Sequence, residues 1–250
     1  MKAMILAAGL GTRLKPITDR IPKALVEVDG VPMLERVIFR LKKEGFDKVI
    51  VNVHHFGEQI VEFIKQKDFG AEILISDERG LLLDTGGGIV MAMPLLFGEN
   101  REPVLVHNVD IISNADLKGL MEKTNEAPGV RLLVSDRDSS RKLLFDEGMS
   151  LGGWHDIKNE KFRMLTDKRK DSLIELAFSG IYCMTYEGAE EMKRILGEGK
   201  FSVMEYFLNP QRKEKVRGEK QDNLELIDIG KPATLVQAHA ILKNLNKSLN

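Results

Sequence analysis

A chain of 250 residues with 43% hydrophobic and 30% charged residues can bury a sizeable core and lies near the upper size that one core serves. Its 37 Lys and Arg balance 38 Asp and Glu, so no global field attracts nucleic acid or an anionic membrane. An anionic ligand must therefore be held by local charges. The one cysteine, Cys183, excludes an internal disulfide and fits a reducing cytoplasm. It lies in the apolar run 177–185, where packing is expected over reactivity. Residues 1–10 are too short for a membrane span and lack the layout of a cleavable signal.

Strand-like and helix-like patterns alternate through the first half. Residues 1–8 read as a core strand, and 31–44 as a helix with Met33, Val37, Ile38 and Leu41 on one face. Residues 48–53 read as a strand, 57–67 as a helix, 71–76 as a strand and 86–97 as a helix. Then come a strand over 103–109, a helix over 115–125 and a strand over 130–135. Short buried strands separated by helices predict an α/β fold, Rossmann-like, with a mostly parallel central sheet covered on both faces. Ligands of such sheets bind beyond the carboxyl ends of the strands.

The second half is less regular. Residues 143–154 read as a hairpin, and 158–170 as an exposed, charge-rich excursion that is either a solvated loop or a lid. A core strand over 175–185 follows, then a helix over 187–196, a strand over 224–229 and a helix over 231–245 with Pro232 in its first turn. No repeat, low-complexity stretch or linker appears, which predicts a single domain over 1–250. Met91, Met93, Met192 and Met204 have helical spacing and read as core fillers. Adjacent His54 and His55 project to opposite sides of a strand end and do not suggest a metal site.

The first strand runs into Ala8-Gly9-Leu10-Gly11-Thr12-Arg13, with Pro22-Lys23 downstream. Two close glycines let main-chain N–H groups approach a ligand that side chains would exclude. Successive amides in such a turn form a concave anion site. Arg13 adds a planar fork and Lys23 a mobile point charge, so the stretch describes a triphosphate site. It is not the dinucleotide fingerprint, because Leu14 stands where the third glycine is needed and Pro16 opposes an immediate helix. No Gly-Lys-Ser/Thr run exists for a Walker A loop.

Gly9 to Lys15 followed by Pro22-Lys23 resembles the signature of sugar-1-phosphate nucleotidyltransferases. The resemblance continues at Asp84-Thr-Gly-Gly-Gly88, Val106-His-Asn-Val-Asp110, Ala177-Phe-Ser-Gly-Ile181 and Asp228-Ile-Gly230, and so covers nearly the whole chain. The short form and the Thr-Gly-Gly-Gly run look most like the N-acetylmuramate-1-phosphate uridylyltransferase branch, with mannose-1-phosphate guanylyltransferases second. A phosphocholine-type cytidylyltransferase shares the opening motif; its cation would need an aromatic cage drawn from Trp154, Tyr182, Tyr186, Tyr206 and the phenylalanines. A silent nucleotide sensor on the same fold is the reading from another class. Family members often carry a left-handed β-helix after the transferase domain, for which this sequence leaves no room.

The resemblance implies a GT-A-like fold with a small β-rich elaboration on the acceptor side. Residues 1–125 would mainly bind the nucleotide and 126–250 mainly the sugar phosphate. Arg13 and Lys23 are the implied catalytic cations. Ala8, Gly9, Leu10, Gly11, Thr12, Thr85, Gly86 and Gly87 are implied at the nucleotide, and Asn108, Glu175, Gly180 and Lys158 at the sugar phosphate. His107 reads as packed. Mg²⁺ is the implied counter-ion, held by Asp110 and Asp228, which both end apolar strands. Where the family often has glycine before the first aspartate, this chain has Val109, which narrows the sugar pocket. An NTP and a sugar 1-phosphate are thus the expected partners, with no nucleic acid or membrane, in the cytoplasm; a homo-oligomer is left open.

Overall fold

The computed structural model describes residues 1–238 and Leu242, so the end of the helix expected over 231–245 lies outside the described residues. Apolar runs form strands and amphipathic runs form helices in the expected alternation. The chain begins with β1 (Lys2–Leu6), three one-turn 3-10 segments and a ribbon of β2 (Glu27–Val28) and β3 (Val31–Pro32). Next come α1 (Met33–Lys43), β4 (Lys48–Val53), α2 (Gly57–Lys65), β5 (Glu72–Asp77) and α3 (Asp84–Leu96). Then follow β6 (Val104–Asn108), β7 (Ile111–Ser113), α4 (Leu117–Glu126) and β8 (Val130–Ser135).

The second half adds β9 (Arg141–Phe145), β10 (Leu151–Asp156), β11 (Lys161–Met164) and the long β12 (Ile174–Met184). It closes with α5 (Tyr186–Leu196), α6 (Val203–Phe207), β13 (Val216–Lys220) and β14 (Leu226–Asp228). Ten strands join in one sheet. β5, β4, β1 and β6 run parallel, and β13 runs parallel to β8. Antiparallel pairs gather around β12, which meets β6, β8 and β9, while β9, β10 and β11 form the β-rich elaboration.

Strand alternation divides the interior into two cores, one on each face. Ala3, Ile5, Leu105, Ile181 and Cys183 face one with α1 and α4; Met4, Val104, Val106, Tyr182 and Met184 face the other with α3, α5 and α6. Cys183 is fully buried, and burial pushes its thiol up, away from reactivity. Met93 and Met192 are core residues as expected, but Met91 is exposed because it lies on the outer side of α3.

Three elements escape a reading by periodicity. The 158–170 excursion contains β11, whose exposed residues are strand only because β10 pairs with them. β13 is equally polar and exists by adding to the edge of β8, with Glu219 bridging Lys123 and Arg131. α6 is too short to show a period; a capping box between Ser202 and Glu205 starts it.

α6 and the loop after it are held by Glu191 on α5. Its carboxylate accepts from Lys213 N (2.9 Å), Glu214 N (2.9 Å) and Tyr206 Oη (3.1 Å). Burial opposes the charge, but these donors prevail and hold the carboxyl below its usual range. A depressed folded value contributes stability above the unfolded carboxyl pKa of about 4.3, lost as pH falls through the folded value. Glu191→Ala should therefore lower stability by on the order of 3 kcal/mol at neutral pH, by leaving buried donors unpaired. Urea titrations at neutral and acidic pH check this: the gap between wild type and variant should close on acidification, and a pH-independent gap would refute it.

Candidate active site

β1 and β6 end side by side, and their C-terminal loops open onto a cleft of about 410 Å³. It is lined by Ala8 through Arg13, Lys23, Asp84, Thr85, Asn108, Asp110 and Gly230, so segments remote in sequence share one cavity. The larger cavity of about 710 Å³, between α3 and α5, is mainly apolar and lies apart from these charges.

The glycine loop owes its shape to two fixed points. Ala7 N and Ala8 N donate to Asn52 Oδ1 at the end of β4 (2.6 and 3.3 Å), and Asn52 Nδ2 donates to Glu78 Oε1 (2.7 Å). Burial raises the Glu78 carboxyl above its usual range. Downstream, Thr18 Oγ1 donates to Gly11 O at 2.8 Å. Gly11 has φ +64°, and a Cβ there would lie 2.8 Å from Thr18 Cγ2, so the turn requires glycine. Between these anchors the amides of Gly9, Leu10 and Gly11 donate to no acceptor among the described residues and are free for an anion.

Charge converges beside this loop. Lys23 Nζ pairs with Asp110 Oδ2, both side chains largely buried. The pairing of β14 with β7 sets Asp228 opposite Ile111, and Ile229 N donates to Asp110 O (2.8 Å), which brings the two aspartates together. The Arg13 guanidinium lies over Gly230: a Cβ at that glycine would be 2.7 Å from Arg13 Nη2 and 2.6 Å from Asp228 Oδ1. Burial and the Asp110 charge raise the Asp228 carboxyl, while Lys23, Arg13 and Arg137 pull it back. Arg13, Lys23, Asp110 and Asp228 thus surround one place.

No group of three or more metal-ligating side chains occurs among the described residues. A hard divalent cation bound with phosphates needs only one or two protein carboxylates. Asp228 Oδ1 is buried and has no hydrogen-bond partner among the described residues, which leaves it able to ligate a cation. The Asp110–Asp228 pair therefore fits a magnesium-type ion.

Other expected residues fall elsewhere. Gly86 and Gly87 do not reach the cleft. Their amides donate to Phe201 O (2.9 and 3.2 Å), and the lack of side chains lets α3 press against the 199–203 segment. Thr85 lines the cleft, but its hydroxyl accepts from Val203 N (2.9 Å) and so positions α6. Glu175 lies at the start of β12 and pairs with His155 (3.0 Å). Gly180 lies five residue steps further along the strand, roughly 16 Å away. Lys158 is exposed in the turn between β10 and β11, outside the cleft. Gly180 borders Asn108, which lines the cleft. His107 is packed: burial pushes its imidazole down to about 4, and Nδ1 contacts Asn108 O at 2.8 Å. Tyr182 and Tyr206 are fully buried, and among the described residues neither they nor Trp154 and Tyr186 line this cleft.

Sequence reading missed Asn52, Glu78, Lys200 and Arg137. Asn52 is a polar residue inside an apolar strand run, a signal available in the sequence. Lys200 lines the cleft with no partner among the described residues.

A crevice at the carboxyl ends of parallel strands, lined by free loop amides, Arg13, Lys23 and Asp110, is where an open α/β sheet binds its ligand. Residues 2–142 match the family model described as Nucleotidyl transferase, and the chain belongs to that family. It is 39% identical over 129 residues to an N-acetylmuramate alpha-1-phosphate uridylyltransferase of Neisseria meningitidis, covering 51% of this chain and 54% of that one. The chain thus spans about half the length of the uridylyltransferase relatives it matches. It is 32% identical to a D-glycero-alpha-D-manno-heptose 1-phosphate guanylyltransferase of Campylobacter jejuni over 93% of this chain and 96% of the relative. The crystal structure of HddC from Yersinia pseudotuberculosis complexed with GMP-PN shares the fold, with a TM-score of 0.74 at 22% identity, covering 96% of this chain and 99% of that one. No helix among the described residues is long and apolar enough to cross a membrane.

Gly87→Ala tests the structural role of the glycine run. A Cβ there would meet Gly199 O at 1.9 Å, so the 199–201 backbone must move or α3 must shift. Stability should fall by about 1–3 kcal/mol, the usual cost of overpacking. An unchanged midpoint in a urea titration would show that these elements are not in close contact.

Proposed function

We propose that the protein transfers a nucleotidyl group from an NTP to a sugar 1-phosphate, releasing pyrophosphate. The observation that carries this reading is the convergence of free loop amides, Arg13, Lys23, Asp110 and Asp228 on one cleft. An oxygen of the acceptor phosphate attacks the α-phosphorus, and the bond to the bridging oxygen of pyrophosphate breaks. The nucleophile is already an anion, so no strong base is required. The difficulty is to bring two anions together and to stabilise the leaving group, which positioning and fixed charge accomplish.

In this reading the amides of Leu10 to Thr12 hold the β- and γ-phosphates, and Arg13 stabilises the departing pyrophosphate. Lys23 stands near the α-phosphate and offsets repulsion from the incoming phosphate. Asp110 and Asp228 would hold Mg²⁺, which supplies charge neutralisation at the phosphates. Residues 1–125 would handle the nucleotide and 126–250 the acceptor. The uridylyltransferase relatives favour UTP with an N-acetylated amino sugar 1-phosphate, a cell-wall or polysaccharide precursor route. The guanylyltransferase relative, aligned over nearly the whole chain, supports GTP as the second reading. A choline-phosphate cytidylyltransferase relative, 45% identical over 78 residues, keeps CTP with a phosphocholine-type acceptor as a further reading. Such substrates and a buried lone thiol suit the cytoplasm.

Incubation with Mg²⁺, each NTP and a panel of sugar 1-phosphates, following pyrophosphate, tests the class and the base together. Arg13→Ala should lower turnover about 10²-fold or more, the scale of a lost transition-state donor. Near-normal turnover in that variant would remove Arg13 from the reaction. Tight NTP binding with no pyrophosphate across the panel would instead favour a nucleotide sensor.

A further inference from the structure

Buried polar groups in folded proteins are nearly always hydrogen-bonded, and exceptions call for an explanation. Four of the seven exceptions among the described residues are Ser135 Oγ, Arg137 Nε, Ser179 Oγ and Asp228 Oδ1. They lie on β8, on the turn after it, on the bulged part of β12 and on β14, which pairs with β7 outside the main sheet. Leu133 and Ile181 belong to the core that also holds Ile227 and Ile229, the neighbours of Asp228. Strand alternation puts Ser135 on the Leu133 side of β8, and Arg137 follows two residues on.

Backbone geometry draws the four together. Ser135 is the register partner of Ala177 on β12, and β12 bulges between Phe178 and Tyr182, carrying Ser179 and Gly180. Gly180 has φ +75°, and a Cβ there would lie 2.7 Å from Asn108 Nδ2 and 3.2 Å from Ile111 Cγ1. Ile111 is the register partner of Asp228. Arg137 Nη2 donates to Phe178 O at 2.9 Å, which fastens the guanidinium to this bulge. Its charge acts on Asp228 as well, yet Asp228 Oδ1 and Arg137 Nε satisfy no partner, including each other.

A forked cation that has no salt bridge and an unpaired Nε among the described residues, with two unpaired hydroxyls, beside a carboxylate suited to a divalent ion describes a seat for a phosphate monoester. We propose that Arg137, with Ser135 and Ser179, forms the subsite that holds the phosphate of the acceptor next to Asp228. This fills the place that Lys158, out in the β10–β11 turn, does not. The identity of the acceptor rests on the nucleotidyl-transfer reading; the anion subsite itself does not.

Two measurements separate those claims. With the NTP and sugar 1-phosphate pair that turns over, Arg137→Met should raise the KM for the sugar 1-phosphate about tenfold or more while the KM for the NTP stays within about twofold. Arg137→Lys should recover part of the loss. An NTP KM that rises as much as the acceptor KM would overturn the assignment. Independently, calorimetric titration of inorganic phosphate into protein holding Mg²⁺ and UMP should show binding about tenfold weaker in Arg137→Met. Equal affinity, or no phosphate binding by the wild type, would overturn the subsite whether or not any pair turns over. Binding that depends on Arg137 with no turnover in the wild type would refute nucleotidyl transfer and support the subsite. Circular dichroism checks folding; if Arg137→Met does not fold, Ser179→Ala should weaken phosphate binding about threefold, and no change would count against the proposal.

Discussion

Two aspartates from distant parts of the chain share one partly buried wall, and the surroundings of the cleft follow from that. Like charges in such a place are tolerated only if cations are fixed beside them. Lys23 pairs with Asp110, Arg13 lies across Gly230 against Asp228, and Arg137 approaches from the side of β12. Arg13 and Lys23 come from the segment after β1, and Arg137 from the turn after β8. The carboxylate pair therefore ties the segment after β1, the turn after β8 and the end of β14 to a single point. That point is where two anionic substrates would have to meet.

Close main-chain approach is the second organising feature. Gly11 lets the first loop fold over Thr18, Gly180 lets β12 bend around Asn108, and Gly230 leaves room for a guanidinium. The Gly86–Gly88 run does a different job: it brings α3 against the 199–203 segment and against Glu78. Through that contact the loop carrying Lys200 is set beside the glycine loop of β1. Asn52 and Glu78 complete the link, because one buried amide holds the end of β1 and one buried carboxyl holds the start of α3.

The character of the sheet changes across its width. The parallel strands β5, β4, β1 and β6 form a regular floor, and the loops at the carboxyl ends of β1 and β6 line the cleft. Around β12 the pairing turns antiparallel and bulges, which takes Ser179 and Gly180 out of the ladder with β8. Rigid and irregular backbone meet at Asn108 and Gly180.

Much of this was readable in the order of residues. The strands β1, β4, β6 and β8 and the helices α1 to α5 are legible because apolar spacing of two or of 3.6 residues reports local burial, whatever the rest of the chain does. The motif at residues 9–13 with Lys23, and aspartates closing apolar strands, were legible because close backbone approach and fixed charge demand particular residue types. Tertiary structure alone decided the rest. β11 and β13 are polar runs that become strands only when a neighbouring edge accepts their hydrogen bonds, and α6 is too short to carry a period. Gly86, Gly87, Lys158 and Glu175 sit in or near recognisable motifs, yet where their chains are carried depends on packing partners far away in sequence. Arg137 and Lys200 gave no local sign at all, since an arginine or lysine in a polar loop looks solvated until the fold sets it beside a cleft or a carboxylate.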